Sequence, residues 1–145
     1  MVQACDVAKY FLTLSNDDAG DLISNLKLQK LLYYAQGLNL AVNDVPLFND
    51  VLEAWTHGPV VPTVYHIYKE HGSGAIPPPV DFNDDQFDAD SLEILNEVWS
   101  VFGQFSAWKL RNMTHDEAPW KEAYAAKENI ITQDSMRAYF KTRLN

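Results

Sequence analysis

The sequence predicts a mainly α-helical fold: a single compact multi-helix domain of about six or seven helices with at most a short β pair. Three observations support this prediction. Apolar residues recur at three- and four-residue steps along most of the chain, which is the spacing of one helix face. Residues typical of helix caps and helix ends separate these stretches. With 145 residues, of which 47% are hydrophobic, the chain has the size and composition of one domain with one core.

The first helix is predicted from about Gln3 to Leu14. Cys5 lies in its apolar stripe, and nothing near it in sequence lowers the pKa of the thiol. A buried small hydrophobe is therefore favoured over a nucleophile. As the one cysteine of the chain, Cys5 has no partner for an internal disulfide. The residues from Ser15 to Asp21 have the composition of a polar loop.

The second helix is predicted to follow Ser24, whose hydroxyl suits an N-cap. Asn43, Asp44 and Pro46 are expected to end it. The side chains expected to face the core recur at helical steps: Leu28, Leu31, Leu32, Ala35, Leu38 and Val42. The polar side chains expected largely on the opposite side are Lys27, Lys30, Gln36 and Asn39.

An extended stretch and a sharp corner follow. Val51–Trp55 is short and apolar enough to form a strand, and Gly58 precedes a proline at a corner where glycine tolerates positive φ. Pro62 suits the first turn of a third helix, which Gly72 is expected to end. The apolar and aromatic positions of that helix are Val64, Ile67, Tyr68 and His71. Trp55 beside this corner is expected to belong to a rigid, presented edge.

The segment from Pro77 to Asp90 is predicted to lack regular structure. Three consecutive prolines favour a stiff, extended backbone. The sequence DFNDDQFDAD that follows is rich in aspartate, but it lacks the central glycine and the ligand register of a calcium loop. A solvated acidic loop is therefore favoured over a metal site. Phe82 and Phe87 are candidate anchors for a partner within this acidic loop.

A fourth helix is predicted to begin at Asp90, with Glu93 completing a capping box, and to end at Gly103. Its expected buried face carries Leu92, Leu95, Val98, Trp99 and Phe102. Ser106 is expected to cap a fifth helix that runs to Met113. Leu110, Met113 and Trp108 are expected to contribute to burial there.

Two further helices complete the prediction. After Thr114–Glu117, Pro119 suits a first helical turn, and Trp120 and Tyr124 stand four residues apart on one face. Thr132 or Asp134 is expected to start the last helix. Its inward side chains are predicted to be Met136, Tyr139 and Phe140.

Charge and hydropathy narrow the possible partners. The net charge is −9 and the pI is about 4.7, which argues against nonspecific nucleic-acid binding because that requires lysine and arginine. An acidic surface favours encounter with a basic protein partner and equally serves solubility. The sequence contains no apolar run long enough for a membrane span, and its first residues do not resemble a secretory signal. A cytoplasmic protein with no membrane partner is expected.

The four histidines offer little for catalysis or metal binding. His66 and His71 are five residues apart and so fall on different sides of a helix. A hydrolase using His57 with Glu53, or His115 with the acidic pair that follows it, is one alternative. The chain carries no nucleophile motif, P-loop, metalloprotease motif or dinucleotide fingerprint. We therefore expect no enzyme, no metal and no cofactor.

The candidate partner-binding residues lie at two corners that each carry an aromatic side chain. Tryptophan and tyrosine frequently anchor protein interfaces. The alternative is that Trp55, Trp120 and Tyr33 pack inside the fold and stabilise it. The candidates are Trp55, His57, Gly58, Pro59, Tyr65 and Tyr68 at the first corner, and His115 and Trp120 at the second.

The order of several short motifs resembles the Panacea antitoxin domain family, which includes the Soc-type antitoxin and phage-associated gene-element proteins. The motifs are LKLQKLLYYAQG, PLF, EAW followed by HGPVVPTVY, and THDEAPWKEAY. The resemblance runs from about Asp6 to Phe140 and implies one Panacea-like antitoxin domain over residues 1–145.

This resemblance also implies a function. Relatives occur in bacterial toxin–antitoxin pairs and in prophages, and they neutralise a cognate toxin, usually encoded beside them, by direct noncovalent binding. The identity of the toxin varies widely among relatives. The Soc-type relative also delivers its toxin to a cytoplasmic ATP-dependent protease as an adaptor, which is an alternative role for this chain.

DNA binding is a third class, because many antitoxins repress their own operon. Such proteins use a basic helix-turn-helix or a separate DNA-binding domain. The most basic helix here, around Lys27 and Lys30, is mostly an apolar stripe. Nucleic acid is therefore not an expected partner.

Overall fold

A computed structural model of the chain describes residues 1–15 and 22–144, and within them the fold is mainly α-helical, as predicted. The seven helices are α1 (Ala4–Leu14), α2 (Asn25–Asn43), α3 (Pro62–Tyr68), α4 (Ala89–Phe102), α5 (Ala107–His115), α6 (Ala118–Ala125) and α7 (Gln133–Lys141). A 3-10 turn, Lys69–His71, extends α3. The polar loop predicted over residues 15–21 lies outside the described residues except for its first position.

The helix α2 lies at the centre of the fold. It packs against α1, α3, α4, α5, α7 and the sheet. Its predicted start is confirmed, because the backbone N–H of Lys27 donates to the hydroxyl of Ser24 across 3.2 Å. Its predicted end is also confirmed at Asn43, where Asp44 takes the left-handed conformation with φ 61°.

The expected division of α2 into an apolar and a polar side is wrong. The four polar side chains placed opposite the core are all buried: Lys27, Lys30, Gln36 and Asn39. Val42, which was expected inside, is 50% exposed. The division fails because other elements cover α2 on nearly all sides, so burial no longer follows one helical stripe.

The buried polar groups of α2 are compensated by hydrogen bonds to loops. The Nζ atom of Lys27 donates to the carbonyl of Gly103 across 2.6 Å. Gln36 donates to the carbonyl of Phe48 at 2.7 Å and accepts from the N–H of Leu47 at 2.8 Å. These bonds make the burial of polar atoms tolerable and fix the loops around α2.

The helix α7 closes over the C-terminal half of α2. A side chain at Gly37 would overlap the ring of Phe140, so the glycine allows this close approach. Phe140 and Met136 are buried, as predicted, and Tyr139 is half-buried. The predicted start of α7 is confirmed because Thr132 accepts from the N–H of Ser135.

A small antiparallel sheet with the order β2-β1-β3 packs beside the helices. Its strands are β1 (Leu52–Trp55), β2 (Gly58–Val60) and β3 (Ile130–Ile131). The predicted strand and corner form a hairpin in which Trp55 pairs with Gly58 around a two-residue turn, Thr56–His57. The sequence predicts at most one strand pair and misses β3, because two residues are too few to show a strand period.

The predicted start of α4 is wrong by two residues. Its N-cap is Asp88, which has extended backbone angles and accepts from the N–H of Ser91 at 2.7 Å. Asp90 instead lies in the first helical turn. Ser106 caps α5 as predicted, but the contribution of Trp108 to burial is wrong, because its side chain is 54% exposed.

The two phenylalanines of the acidic loop face the chain's own core. Phe87 is buried and Phe82 is partly buried, and both rings contact Tyr10 of α1 edge-on, at centroid distances of 5.6 and 6.5 Å. They therefore fasten the acidic loop to α1, and their rings are not free to anchor a partner.

Candidate functional site

A groove of about 640 Å³ lies beside the β-hairpin. Residues from α2, the hairpin, α3, the following turn and α6 line it. Three candidate residues from the sequence come together here: Trp55, His57 and Tyr65. Trp55 ends β1, His57 lies in the hairpin turn and Tyr65 lies in α3. The hairpin places these three side chains on one surface.

One wall of the groove is an aromatic pair. The rings of Trp55 and Tyr65 meet edge-on with a centroid distance of 5.0 Å. The indole N–H of Trp55 donates to Glu53 at 2.8 Å, which fixes the ring orientation. Both rings are only partly buried, so each keeps an open face or edge toward the groove. His57 is exposed at the hairpin tip, 5.9 Å from the ring of Trp108.

Gly58 and Pro59 are buried and support the hairpin from inside. Gly58 has φ +113°, as the sequence predicted it could, and a β-carbon there would lie 2.6 Å from Cε of Lys30. The same β-carbon would lie 2.9 Å from the hydroxyl of Thr114. Tyr68 is not brought to the groove, since its half-buried ring packs against the core, 6.5 Å from the ring of His71.

The second predicted corner packs against the first. His115 stacks on Trp120 with a centroid distance of 3.9 Å, and Trp120 stacks on Tyr124 at 4.6 Å. The indole N–H of Trp120 donates to the backbone carbonyl of Trp55 at 2.9 Å. Burial lowers the pKa of His115, and the charge of Arg111 lowers it further. His115 and Trp120 therefore stabilise the hairpin.

Tyr124 is a groove residue that the sequence analysis did not select. Its ring is 47% exposed at the outer end of the stack and lines the groove. The signal was available, since Tyr124 stands four residues after Trp120 on the same helix.

Lys30 is the second missed residue. Its side chain is fully buried, it lines the groove, and its Nζ atom donates to the carbonyl of Pro59 at 3.0 Å. Burial lowers the pKa of this amine to about 7, and the nearby charge of Arg111 adds to the effect. Sequence reasoning missed it because only the folded hairpin covers this side of α2.

On the other side of α2, the carboxylate of Glu117 joins the motif THDEAPWKEAY to the motif LKLQKLLYYAQG. Tyr33 and Tyr34 both donate to Glu117, at 2.8 and 2.9 Å. Burial raises the pKa of Glu117 to about 7, and the two tyrosine hydrogen bonds partly oppose this shift. Tyr33 is fully buried, so its packing interpretation is confirmed.

These contacts also engage the carboxylates considered for a hydrolase. Glu53 accepts from the indole of Trp55, and Glu117 accepts from two tyrosines. Among the described residues, no ion pair joins His57 to Glu53, or His115 to Asp116 or Glu117. Among residues 1–15 and 22–144, no group of three or more His, Cys, Asp or Glu could hold a metal ion. In the same part of the chain, no helix is long and apolar enough to cross a membrane.

Comparisons with known proteins agree with the motif pattern. The model of the family "Antitoxin SocA-like, Panacea domain" matches residues 28–121, which include Lys30, the hairpin and Tyr65. Antitoxin SocA of Caulobacter vibrioides is 52% identical over 50 residues, which make up 34% of this chain and 27% of that protein. No solved structure matches the chain. Because the family model covers more than half of its length, this chain belongs to the Antitoxin SocA-like, Panacea domain family.

Proposed function

We propose that this protein is an antitoxin that neutralises a cognate bacterial toxin by direct, noncovalent binding. Membership of an antitoxin family supports the general class. The observation that carries the binding mode is the groove lined by Trp55, His57 and Tyr65, three residues that lie within the stretch that the family model matches. Partly exposed aromatic side chains at a groove are typical anchors of protein interfaces.

The groove is held in shape before any partner arrives. The hairpin is tied to α6 by the hydrogen bond between Trp120 and Trp55. On the opposite side, Gln29 accepts from the backbone N–H of Val61 at 2.8 Å and donates to Asn25 at 2.9 Å. A surface ordered in advance loses little conformational entropy on binding, which favours tight neutralisation by contact alone.

Co-expression with the product of the adjacent gene tests this proposal. The expected result is that the neighbouring protein arrests growth when expressed alone, and that this chain restores growth and copurifies with it in a defined ratio. Restored growth without a stable complex, together with faster loss of the toxin in cells that contain an ATP-dependent protease, would favour the adaptor role instead. Failure to bind or rescue any neighbouring toxin would contradict the antitoxin proposal.

A further inference from the structure

We propose that the groove beside the hairpin receives an acidic segment of the toxin, with Lys30, Lys69 and His57 as the groups that face its carboxylates. This inference rests on the proposed antitoxin function and names the chemistry of the segment bound. It follows from the charges that line the groove, from the hydrogen bonds already used there and from the charge of the rest of the chain.

The groove differs in charge from the rest of the protein. The chain contains 20 Asp and Glu residues against 11 Lys and Arg residues. None of the described residues that line the groove is Asp or Glu, whereas Lys30, Lys69 and His57 all line it. Glu53 is close in sequence but does not line the groove, and its carboxylate accepts a hydrogen bond from the indole N–H of Trp55. An acidic protein therefore presents a local surface that is lined by basic side chains and by no carboxylate among the described residues.

The amine of Lys30 has unused donor capacity. A protonated lysine carries three N–H donors, and one of them reaches the carbonyl of Pro59. Among the described residues, no carboxylate lies at ion-pairing distance from Lys30 or Lys69, and the carboxylate of Glu70, next to Lys69 in sequence, lies 3.9 Å from His71. Burial without a counter-charge lowers the pKa of this amine to about 7, so an incoming carboxylate would accept hydrogen bonds from it and favour its protonated form.

The side-chain amides that line the groove already make hydrogen bonds within the fold. The amide nitrogen of Asn25 donates to the carbonyl of Tyr65 at 3.1 Å, and that of Asn129 donates to the carbonyl of Ala54 at 3.1 Å. Gln29 uses both its oxygen and its nitrogen. The donors left for a partner are hydroxyls and the basic side chains, and the charge-assisted hydrogen bonds of the latter favour a carboxylate over a neutral polar side chain.

A segment of a protein fits this groove better than a nucleic acid does. A nucleic acid carries a charge at every nucleotide, so the net charge of −9 of the chain opposes its binding. A protein can present a short acidic stretch on an otherwise neutral or basic surface. The aromatic wall formed by Trp55 and Tyr65 can then contact the apolar residues beside that stretch.

The test compares two charge reversals with equal effects on net charge. Lys69→Glu changes a groove residue. Lys141→Glu changes an exposed lysine whose Nζ atom lies 3.1 Å from Asp44, at the opposite end of α2. Along the helix axis, Asp44 lies about 20 Å from Lys30. The full chain and the toxin from the adjacent gene are used, and the dissociation constant is measured by calorimetry at low and high salt, after thermal melts confirm that both variants are folded.

We expect Lys69→Glu to weaken binding about tenfold or more at low salt, with a smaller loss at high salt. Lys141→Glu should change the dissociation constant less than about twofold. His57→Glu should weaken binding in the same direction as Lys69→Glu. An acid-to-lysine change in the bound toxin segment should restore affinity for Lys69→Glu.

Two failures are distinguishable. If the wild-type chain does not bind the toxin, the antitoxin proposal itself is wrong. If the wild type binds the toxin but the two lysine reversals have equal effects, the antitoxin proposal stands and the acidic-segment inference is overturned. The same conclusion follows if Lys69→Glu strengthens binding. Binding of a single-stranded oligonucleotide that competes with the toxin and is lost in Lys69→Glu would also overturn it.

Discussion

Trp120 donates its indole N–H to the backbone carbonyl of Trp55 across 2.9 Å, a contact between residues 65 positions apart in the sequence. It joins α6 to the β-hairpin and therefore fixes the wall of the groove from behind. Trp120 is also stacked between His115 and Tyr124. This one side chain thus connects both corners that the sequence analysis selected.

Replacing Trp120 with phenylalanine tests this connection. The variant keeps an aromatic ring for stacking but loses the donor, so the free energy of unfolding should fall by about 1–2 kcal/mol. Denaturant unfolding measures the change. The matched control is Trp108→Phe, because Trp108 is 54% exposed and should tolerate the same substitution. Equal destabilisation of the two variants would contradict a special role for the Trp120 hydrogen bond.

The Gly58 position should tolerate no side chain. Its φ of +113° strains any L-residue, and an added β-carbon would lie 2.6 Å from Cε of Lys30. We expect Gly58→Val to lower the free energy of unfolding by about 3 kcal/mol and Gly58→Ala by about 2 kcal/mol. Gly72→Ala is the control, since φ there is +56° but no atom lies within 4 Å of the new methyl group. If the two alanine variants melt together, overlap with Lys30 contributes nothing.

Glu117 should make the protein less stable as the pH rises from about 4.5 to about 7. Burial raises the pKa of this carboxyl to about 7 from an ordinary value of 4.5, so in this window the folded state holds a proton that the unfolded state has released. The loss should reach at most about 3 kcal/mol once the carboxyl is fully ionised. Glu117→Gln should flatten this part of the stability–pH curve, measured by denaturant unfolding. An unchanged curve would show that Glu117 titrates normally.

Lys30 should make the protein more stable as the pH rises above about 7, which is opposite to the effect of Glu117. Burial, with a smaller contribution from Arg111, lowers its pKa from 10.5 to about 7. Between these values the unfolded state binds a proton that the folded state lacks, so stability should rise with pH by up to about 5 kcal/mol. In Lys30→Met this rise of stability with pH should be absent. The loss of the hydrogen bond to Pro59 is seen separately, as a difference in the free energy of unfolding between variant and wild type at one pH. A rise of the same size in both proteins would assign it to other groups.

Tyr65 should contribute to toxin binding mainly through the dissociation rate. Its ring packs on Trp55 at the groove, and desolvated aromatic contacts usually lower the rate of dissociation rather than raise the rate of encounter. Tyr65→Ala should raise that rate about tenfold, with little dependence on salt. Ile67→Ala is the control, because Ile67 is 51% exposed on the same helix and does not line the groove. A folded Tyr65→Ala protein with unchanged kinetics would exclude Tyr65 as an anchor.

The elements that sequence reasoning predicts well are those whose signals are local. Ser24, Ser106 and Thr132 each cap a helix as expected, because a hydroxyl just before a helix can satisfy a free backbone N–H without help from distant residues. Asp88 carries the same signal two residues before Asp90, and the backbone conformation decides between the two carboxylates. Periodicity alone does not make that choice.

The features that sequence reasoning misses depend on distant parts of the chain. Lys30 becomes a buried groove residue only when the hairpin folds over α2. Phe87 turns inward because Tyr10, far away in sequence, offers it a ring to pack against. The roles of the partner-binding candidates also depend on the folded structure. Trp55 and Tyr65 line the groove, whereas Trp120 hydrogen-bonds to the hairpin behind it.

The close approach of Phe140 to Gly37 has a consequence for synthesis in the cell. The two residues are separated by roughly 100 positions, so a chain growing at 5–20 residues per second completes α7 roughly 5–20 s after α2. During that interval the side of α2 around Gly37 has no cover, and the rings of Tyr33 and Tyr34 lack their edge-on contacts with Phe140. A nascent chain at this stage should be more open to proteases than the finished fold, because this part of its core is still uncovered.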